Sequence, residues 1–133
     1  MLHYLDTNLV IYAVEGQLAF QQRARDHLAA LEIAGHEFVI SELTWTECLV
    51  WPLRIGNGAL LLDYQRFFAS RHLTTVPLLA SVHQRAASIR ARHNLGLADS
   101  LHLAVAVEHR LDRFLTNDNR LAAFPDITVE ILP

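Results

Sequence analysis

Short apolar segments alternate along the chain with longer segments in which apolar residues recur at helical spacing. The short segments at residues 2–5, 37–40, 73–76, 113–116 and 127–132 have the length and composition of strands. The longer segments predict helices at residues 8–14, 17–34, 42–51, 59–71, 79–93 and 98–109. Strands that alternate with helices are typical of a parallel sheet covered on both faces. The pattern therefore predicts an α/β fold with a mainly parallel, five-stranded sheet.

Glycine and proline residues mark the expected ends of several helices. Gly35 follows the second predicted helix, where glycine often ends a helix, and Gly56 and Gly58 lie in a predicted turn. Ser41 can cap the helix that begins at residue 42. Pro52 is expected to stop that helix, because a proline ring removes a backbone donor and clashes with the preceding turn.

Composition favours one globular domain over residues 1–133. Hydrophobic residues make up 52% of the chain and charged residues 19%, a balance that can bury a sizeable core and argues against disorder. No apolar run approaches the roughly 18 residues of a membrane span, and the first residues do not resemble a secretory signal. The single cysteine, Cys48, has no partner for an internal disulfide. We therefore expect a cytoplasmic protein with no membrane contact.

The charge balance gives a mixed indication about nucleic acids. The net charge of −3 is opposite to the basic surplus of most phosphate binders. All basic residues are arginine, however, and arginine binds phosphate in a bidentate manner. The absence of lysine argues against receiver-type and haloacid-dehalogenase-like phosphoryl transfer, since both classes use a lysine near the phosphate. The latter class also needs Asp-x-Asp after the first strand, where this chain has Asn8.

Four acidic residues are the candidates for chemistry. Asp6 and Asp118 directly follow the first and fourth predicted strands, and the ligand site of a parallel sheet lies beyond the carboxyl ends of its strands. Asp99 opens a predicted helix, and Glu47 is embedded among apolar neighbours and needs a partner. Taken singly, each aspartate could instead cap or start a helix, and Glu47 could face solvent.

If the four carboxylates converge, they require a cation. Two carboxylates about 4 Å apart repel by roughly 4 kcal/mol at an effective dielectric constant near 20. Four would not all stay ionised without compensating charge. An all-oxygen site suits Mg²⁺ or Mn²⁺ better than zinc, and such ions support phosphodiester hydrolysis.

The four acidic residues lie in motifs that resemble those of the PIN-domain family, and the match is close to the VapC-type toxins of bacterial toxin–antitoxin pairs. The motifs are residues 5–8 (LDTN), 41–47 (SELTWTE), 96–104 (GLADSLHLA) and 115–121 (LTNDNRL). Their order holds along the whole chain. The resemblance implies a three-layer α/β/α sandwich, Mg²⁺-dependent endoribonuclease activity with Mn²⁺ as a possible substitute, a small cognate antitoxin and a homodimer.

The resemblance also implies roles for individual residues. The expected metal ligands are Asp6, Asp99 and Asp118, with Glu47 as a further ligand or as the group that orients the attacking water. Support through hydrogen bonds is expected from Thr7, Asn8 and Thr116.

Two further residues lie close to the predicted site in sequence. Arg120 follows Asp118 and is a candidate contact for RNA phosphate. His102 shares a helical face with Asp99 and could touch the site, although packing beside the sheet is the favoured interpretation. Apolar residues also crowd positions 45–68, and part of that surface could meet an antitoxin helix or a second subunit.

Three alternatives stay open at this point. A flavodoxin-like domain also places acidic residues at strand ends. A DNA nuclease would use the same carboxylates, because the metal mechanism does not need the 2′-hydroxyl. A PIN-like fold could also act only by binding partners, although none of the four acidic residues is missing.

Overall fold

The computed structural model describes residues 1–132 of the chain. Within this range the strands are β1 (Leu2–Leu5), β2 (Glu37–Ser41), β3 (Leu73–Val76), β4 (Arg113–Thr116) and β5 (Thr128–Ile131). The helices are α1 (Thr7–Glu15), α2 (Leu18–Ile33), α3 (Glu42–Arg54), α4 (Gly58–Phe68), α5 (Ala80–His93) and α6 (Leu97–Glu108). A short 3-10 helix spans Asn119–Leu121.

The strands form one sheet in the order β3-β2-β1-β4-β5, and every pair of neighbours is parallel. The chain builds outward from the central β1 to β2 and β3, then crosses to β4 and β5 on the other side. The order therefore reverses between β1 and β4, where open α/β sheets leave a crevice beyond the strand ends. It also differs from the 2-1-3-4-5 order of flavodoxin-like folds, which removes that alternative.

The two faces of the sheet carry two separate cores because strand side chains alternate. Tyr4 and Phe114 point into the core formed with α5 and α6. Leu5 and Leu115, each one position further along its strand, point into the core formed with α1 to α4. Helices thus cover both faces, and the three-layer α/β/α sandwich with a five-stranded parallel sheet is confirmed.

One predicted helix end is wrong. Pro52 does not stop α3, which continues to Arg54 with Pro52 inside it. Pro52 is buried, and the packing of its ring offsets the loss of its backbone donor. Its carbonyl accepts a hydrogen bond from the Asn57 amide at 2.9 Å, just beyond the end of the helix. The helix ends where Gly56 adopts a φ of 65°, a left-handed conformation that favours glycine.

The other predicted boundaries lie within a few residues of those observed. The largest difference is at α4, which ends at Phe68 rather than at residue 71. There the Leu73 amide donates to the carbonyl of Ser70, and this turn leads the chain directly into β3. At the other end of the sheet, α1 begins one residue after β1, so that Asp6 alone separates strand from helix.

Candidate active site

Asp6 is held rigidly at the end of the central strand. Its backbone amide donates to the Leu115 carbonyl on β4 at 2.9 Å, and its side chain is only 5% exposed. One carboxylate oxygen accepts from the Thr7 amide at 2.9 Å, and the other accepts from the Thr116 hydroxyl at 2.7 Å. The first of these bonds caps α1, so the capping role and the site position coexist in one residue.

Glu47 projects from α3 toward Asp6 and meets a buried histidine. Its Oε1 accepts from the Thr7 hydroxyl at 2.7 Å and from His102 Nε2 at 2.5 Å. His102 lies on α6 and is 1% exposed, whereas the Glu47 side chain is 32% exposed. The partner that the apolar setting of Glu47 demanded is therefore His102, which reaches it from the opposite face of the sheet.

A polar chain behind His102 fixes the orientation of the imidazole. The Tyr4 hydroxyl lies 2.6 Å from His102 Nδ1 and 3.0 Å from the Ser41 hydroxyl. Both ring nitrogens of His102 therefore have a polar partner, Glu47 at Nε2 and Tyr4 at Nδ1. A continuous chain of polar contacts therefore runs from Ser41, on the neighbouring strand, through Tyr4 and the His102 ring to the Glu47 carboxylate.

Asp99 and Asp118 form the other half of the site, with Arg120 between them. The Arg120 Nη2 atom lies 2.6 Å from Asp118 Oδ2 and 3.7 Å from Asp99 Oδ2. The Asp118 side chain also accepts from the backbone amide of Arg120 and caps the short 3-10 helix. The Asp118 amide donates to the Thr116 hydroxyl at 3.0 Å, so Thr116 links Asp118 to Asp6.

The pKa shifts separate the acids into compensated and uncompensated groups. Burial raises the pKa of Asp6, and hydrogen bonds from Thr116 and Thr7 only partly oppose this. Burial also raises the pKa of Asp99, together with the negative charges of Asp6 and Asp118. Asp6 and Asp99 therefore carry negative charge that their own protein contacts do not balance.

The other two acids have partners that outweigh burial. Burial would raise the pKa of Glu47, but the hydrogen bond and charge of His102, with the Thr7 hydroxyl, hold it below its usual value. The hydrogen bonds from Arg120 lower the pKa of Asp118.

The donor set matches the chemistry of a hard divalent cation. All four side chains offer carboxylate oxygen, and the elevated pKa of Asp6 and Asp99 marks charge that a cation would stabilise. No three carboxylate, imidazole or thiolate groups within residues 1–132 are placed to hold one ion, however. In this arrangement Glu47 is turned toward His102, and Asp118 is turned toward Arg120.

The structure brings the four acids, Thr7 and Thr116 together at one edge of the sheet. His102 packs beside the sheet, which was the favoured interpretation, and it also binds Glu47 directly. Its spacing of three residues from Asp99 was the available signal. Asn8 is exposed, and no side-chain hydrogen bond within the described range supports its predicted role. Cys48 is a free cysteine buried in the core.

The family model described as "PIN domain" matches residues 3–127, which is nearly the whole chain. The chain belongs to the PIN domain family. No match was found among curated proteins. None of the helices within residues 1–132 combines the length and apolar character that a membrane span requires.

Solved structures share the fold of this PIN domain. VapBC2 from Rickettsia felis, bound to a DNA fragment from its promoter, aligns over 100% of both chains with a TM-score of 0.81 and 16% identity. VapC20 from Mycobacterium tuberculosis, described as a toxin that cleaves the sarcin–ricin loop, aligns over 98% of this chain and 99% of its own, with a TM-score of 0.76 and 17% identity. A toxin–antitoxin complex from Klebsiella pneumoniae aligns over 95% of both chains, with a TM-score of 0.69 and 24% identity. At these identities the likeness establishes the fold.

We expect His102→Leu to destabilise the PIN domain, because leucine leaves Tyr4 and Glu47 without a shared partner. The loss should be about 1–3 kcal/mol in the free energy of unfolding, measured by urea denaturation. His102→Gln, which keeps a donor and an acceptor, should recover part of it. His83→Leu, at an exposed position of α5, is the matched control and should change stability by less than about 0.5 kcal/mol. Equal stability of His102→Leu and the wild type would contradict the assigned network.

Proposed function

We propose that this PIN domain is a Mg²⁺-dependent endoribonuclease that acts as the toxin of a toxin–antitoxin pair. The observation that carries the proposal is the placement of Asp6, Glu47, Asp99 and Asp118 at one edge of the sheet, where the strand order reverses between β1 and β4. Carboxylates in this number are costly to crowd together unless a cation is to be bound. Phosphodiester hydrolysis is the reaction that such a cation supports best.

RNA is proposed as the substrate on two grounds. The four motifs resemble those of VapC-type ribonucleases, and the neighbour VapC20 is described as cleaving the sarcin–ricin loop. The carboxylates themselves do not distinguish RNA from DNA, since hydrolysis by water needs no 2′-hydroxyl. A DNA nuclease is therefore the second candidate, and it is distinguished by the substrate used in the assay.

In the proposed mechanism Asp6, Asp99 and Asp118 would hold Mg²⁺. When bound, the ion would polarise the phosphodiester and make water a better nucleophile. Glu47, kept ionised by His102 and Thr7, is suited to orient that water by accepting a hydrogen bond from it. The water oxygen forms a bond to phosphorus and its proton passes to solvent, while the bond to the 3′-oxygen breaks and the leaving oxygen takes a proton from solvent. The products are a 3′-hydroxyl and a 5′-phosphate.

Arg120 would change partners during this reaction. In the free protein its guanidinium supplies the positive charge between Asp99 and Asp118. Its side chain is 77% exposed, so it can swing away at little cost when a cation takes over that charge. The released guanidinium would then lie beside the substrate, where it could bind a phosphate in a bidentate manner.

An antitoxin is the proposed protein partner, because structural neighbours include toxin–antitoxin complexes. Exposed apolar side chains on α3 and α4, among them Trp51, Leu53 and Leu62, offer surface for such a contact. A homodimer is proposed from the resemblance to VapC-type toxins alone.

We expect Asp6→Asn to abolish RNA cleavage without unfolding the protein. Asparagine keeps an oxygen for the Thr7 amide and a polar group for Thr116, but it removes the central negative charge. The rate should fall at least about 100-fold in a fluorogenic RNA assay. Asp26→Asn, on the exposed face of α2, is the matched control and should cleave like the wild type. An undiminished rate for Asp6→Asn would exclude Asp6 from the reaction.

Cleavage is expected to depend on Mg²⁺ or Mn²⁺. Mg²⁺ should also stabilise the folded protein, because it neutralises the negative charge on Asp6 and Asp99. At a Mg²⁺ concentration of 100 times Kd, the free energy of unfolding should rise by about 2.7 kcal/mol, and the melting temperature should rise with it. Differential scanning calorimetry of the wild type and Asp6→Asn measures this, and only the wild type should show the full gain. Full activity in excess EDTA would rule out the metal mechanism.

For the toxin role, inducing the wild-type chain in a bacterial host should arrest growth. Asp6→Asn, expressed to the same level, should not. Co-expression of a small protein encoded next to this chain should restore growth if that protein is the antitoxin. Normal growth despite abundant, soluble wild-type protein would count against the toxin role while leaving the nuclease assay to decide the chemistry.

A further inference from the structure

A small pocket lies beside the carboxylate edge and has no role in the proposed mechanism. It has a volume of about 220 Å³ and lies between α1, α2 and the end of β4. Leu9 and Leu132 contribute apolar surface, and Tyr12, Phe20, Arg23 and Asn117 contribute rings, charge and an amide. Ligand pockets for drug-sized molecules are usually about 300–1,000 Å³, so this one suits a single small ring system.

The pocket and the catalytic edge share the same backbone segments. Asn117 stands between Thr116, which donates to Asp6 at 2.7 Å, and Asp118. The Leu132 amide donates to the Thr116 carbonyl at 2.8 Å, and the Leu9 amide donates to the Asp6 carbonyl at 3.0 Å. A group bound in the pocket would therefore lie next to a phosphate bound at the carboxylates.

The pocket lining has the chemistry that recognises a nucleobase. The rings of Tyr12 and Phe20 stack with centroids 5.6 Å apart and an interplanar angle of 26°. The Arg23 guanidinium carbon lies 5.4 Å from the centroid of Phe20, which itself is 46% exposed. Unpaired bases stack on aromatic rings and on arginine guanidinium planes. The Asn117 amide offers both a donor and an acceptor to the edge of a base.

Charge favours this pocket over the larger depression between α1, α2 and α4. That depression, of about 460 Å³, is lined by Glu32 and Asp63 as well as by Arg25 and Arg66. Its acidic groups would repel the negatively charged phosphates of an RNA strand. The smaller pocket has Arg23 as its charged residue and no acidic side chain in its lining.

We propose that this pocket binds one unpaired nucleobase of the RNA, next to the phosphate that is cleaved, and so contributes to the choice of cleavage position. The inference rests on the proposed ribonuclease function, which it extends from chemistry to specificity. Phe20 and Tyr12 supply stacking surface, Arg23 supplies a cationic plane, and Asn117 contacts the edge of the base.

Steady-state cleavage of a randomised fluorogenic RNA tests the proposal. Phe20→Ala should raise KM about 10-fold, as expected for the loss of one base stack, and change kcat less than about twofold. It should also flatten the base preference at one position beside the cleaved bond. Leu18→Ala removes an 81%-exposed apolar side chain from the same helix outside the pocket, and it should leave KM and preference unchanged. An unaltered KM and preference in Phe20→Ala would overturn the proposal.

A binding cycle separates this inference from the proposed function. It uses the Asp6→Asn background in Mg²⁺ and a single-stranded RNA 8-mer in which one nucleotide at a time is made abasic. One abasic position should weaken binding about 10-fold, and Phe20→Ala should abolish that difference. A difference that persists in Phe20→Ala would show that the base binds elsewhere.

Two outcomes identify which proposal fails. A wild-type chain that cuts no RNA refutes the ribonuclease function, while the binding cycle still decides whether the pocket takes a base. The second outcome is that Phe20→Ala binds RNA like the wild type, but its RNA cleavage is no longer inhibited by the candidate antitoxin, the small protein encoded next to this chain. The pocket would then be a protein-docking site, and our inference would be wrong.

Discussion

The buried carboxylate of Asp6 is the constraint on which the arrangement of the site depends. It follows the central strand directly, and it is held by the first amide of α1 and by the hydroxyl at the end of β4. Because its desolvation is costly, the surrounding groups must either stabilise its charge or leave that task to a bound cation. The reversal of strand order between β1 and β4 creates the crevice in which this occurs.

Two side chains of the protein itself, His102 and Arg120, stabilise the negative charge of two of the four acids. His102 stabilises Glu47 from a fully buried position, and Arg120 stabilises Asp118 from an exposed one. Their different burial implies different mobility. The imidazole is fixed by packing and by Tyr4, whereas the guanidinium is exposed and has room to move. The proposed hydrolysis would use both properties, a carboxylate held in place to orient water and a mobile contact for the phosphate.

Recognition and chemistry share one structural support in this proposal. Thr116 bridges Asp6 and Asp118, and the next residue, Asn117, belongs to the pocket proposed for a nucleobase. A short loop after β4 would therefore fix both the position of the reacting phosphate and the base beside it. One loop would serve both roles because the carboxyl ends of parallel strands bring short loops from distant parts of the chain together.

The sequence by itself determined the α/β class, the five strands, the alternation of elements and the position of all four acids in motifs, because these depend on local periodicity and on residues next to strand ends. It could not show that His102 reaches Glu47, which lies 55 residues away along the chain, since that contact joins helices from opposite faces of the sheet. Nor could it show that α3 runs through Pro52, because burial outweighed the local penalty. The stacked pocket beside Asn117 likewise required three distant segments to meet, and only tertiary packing brings them together.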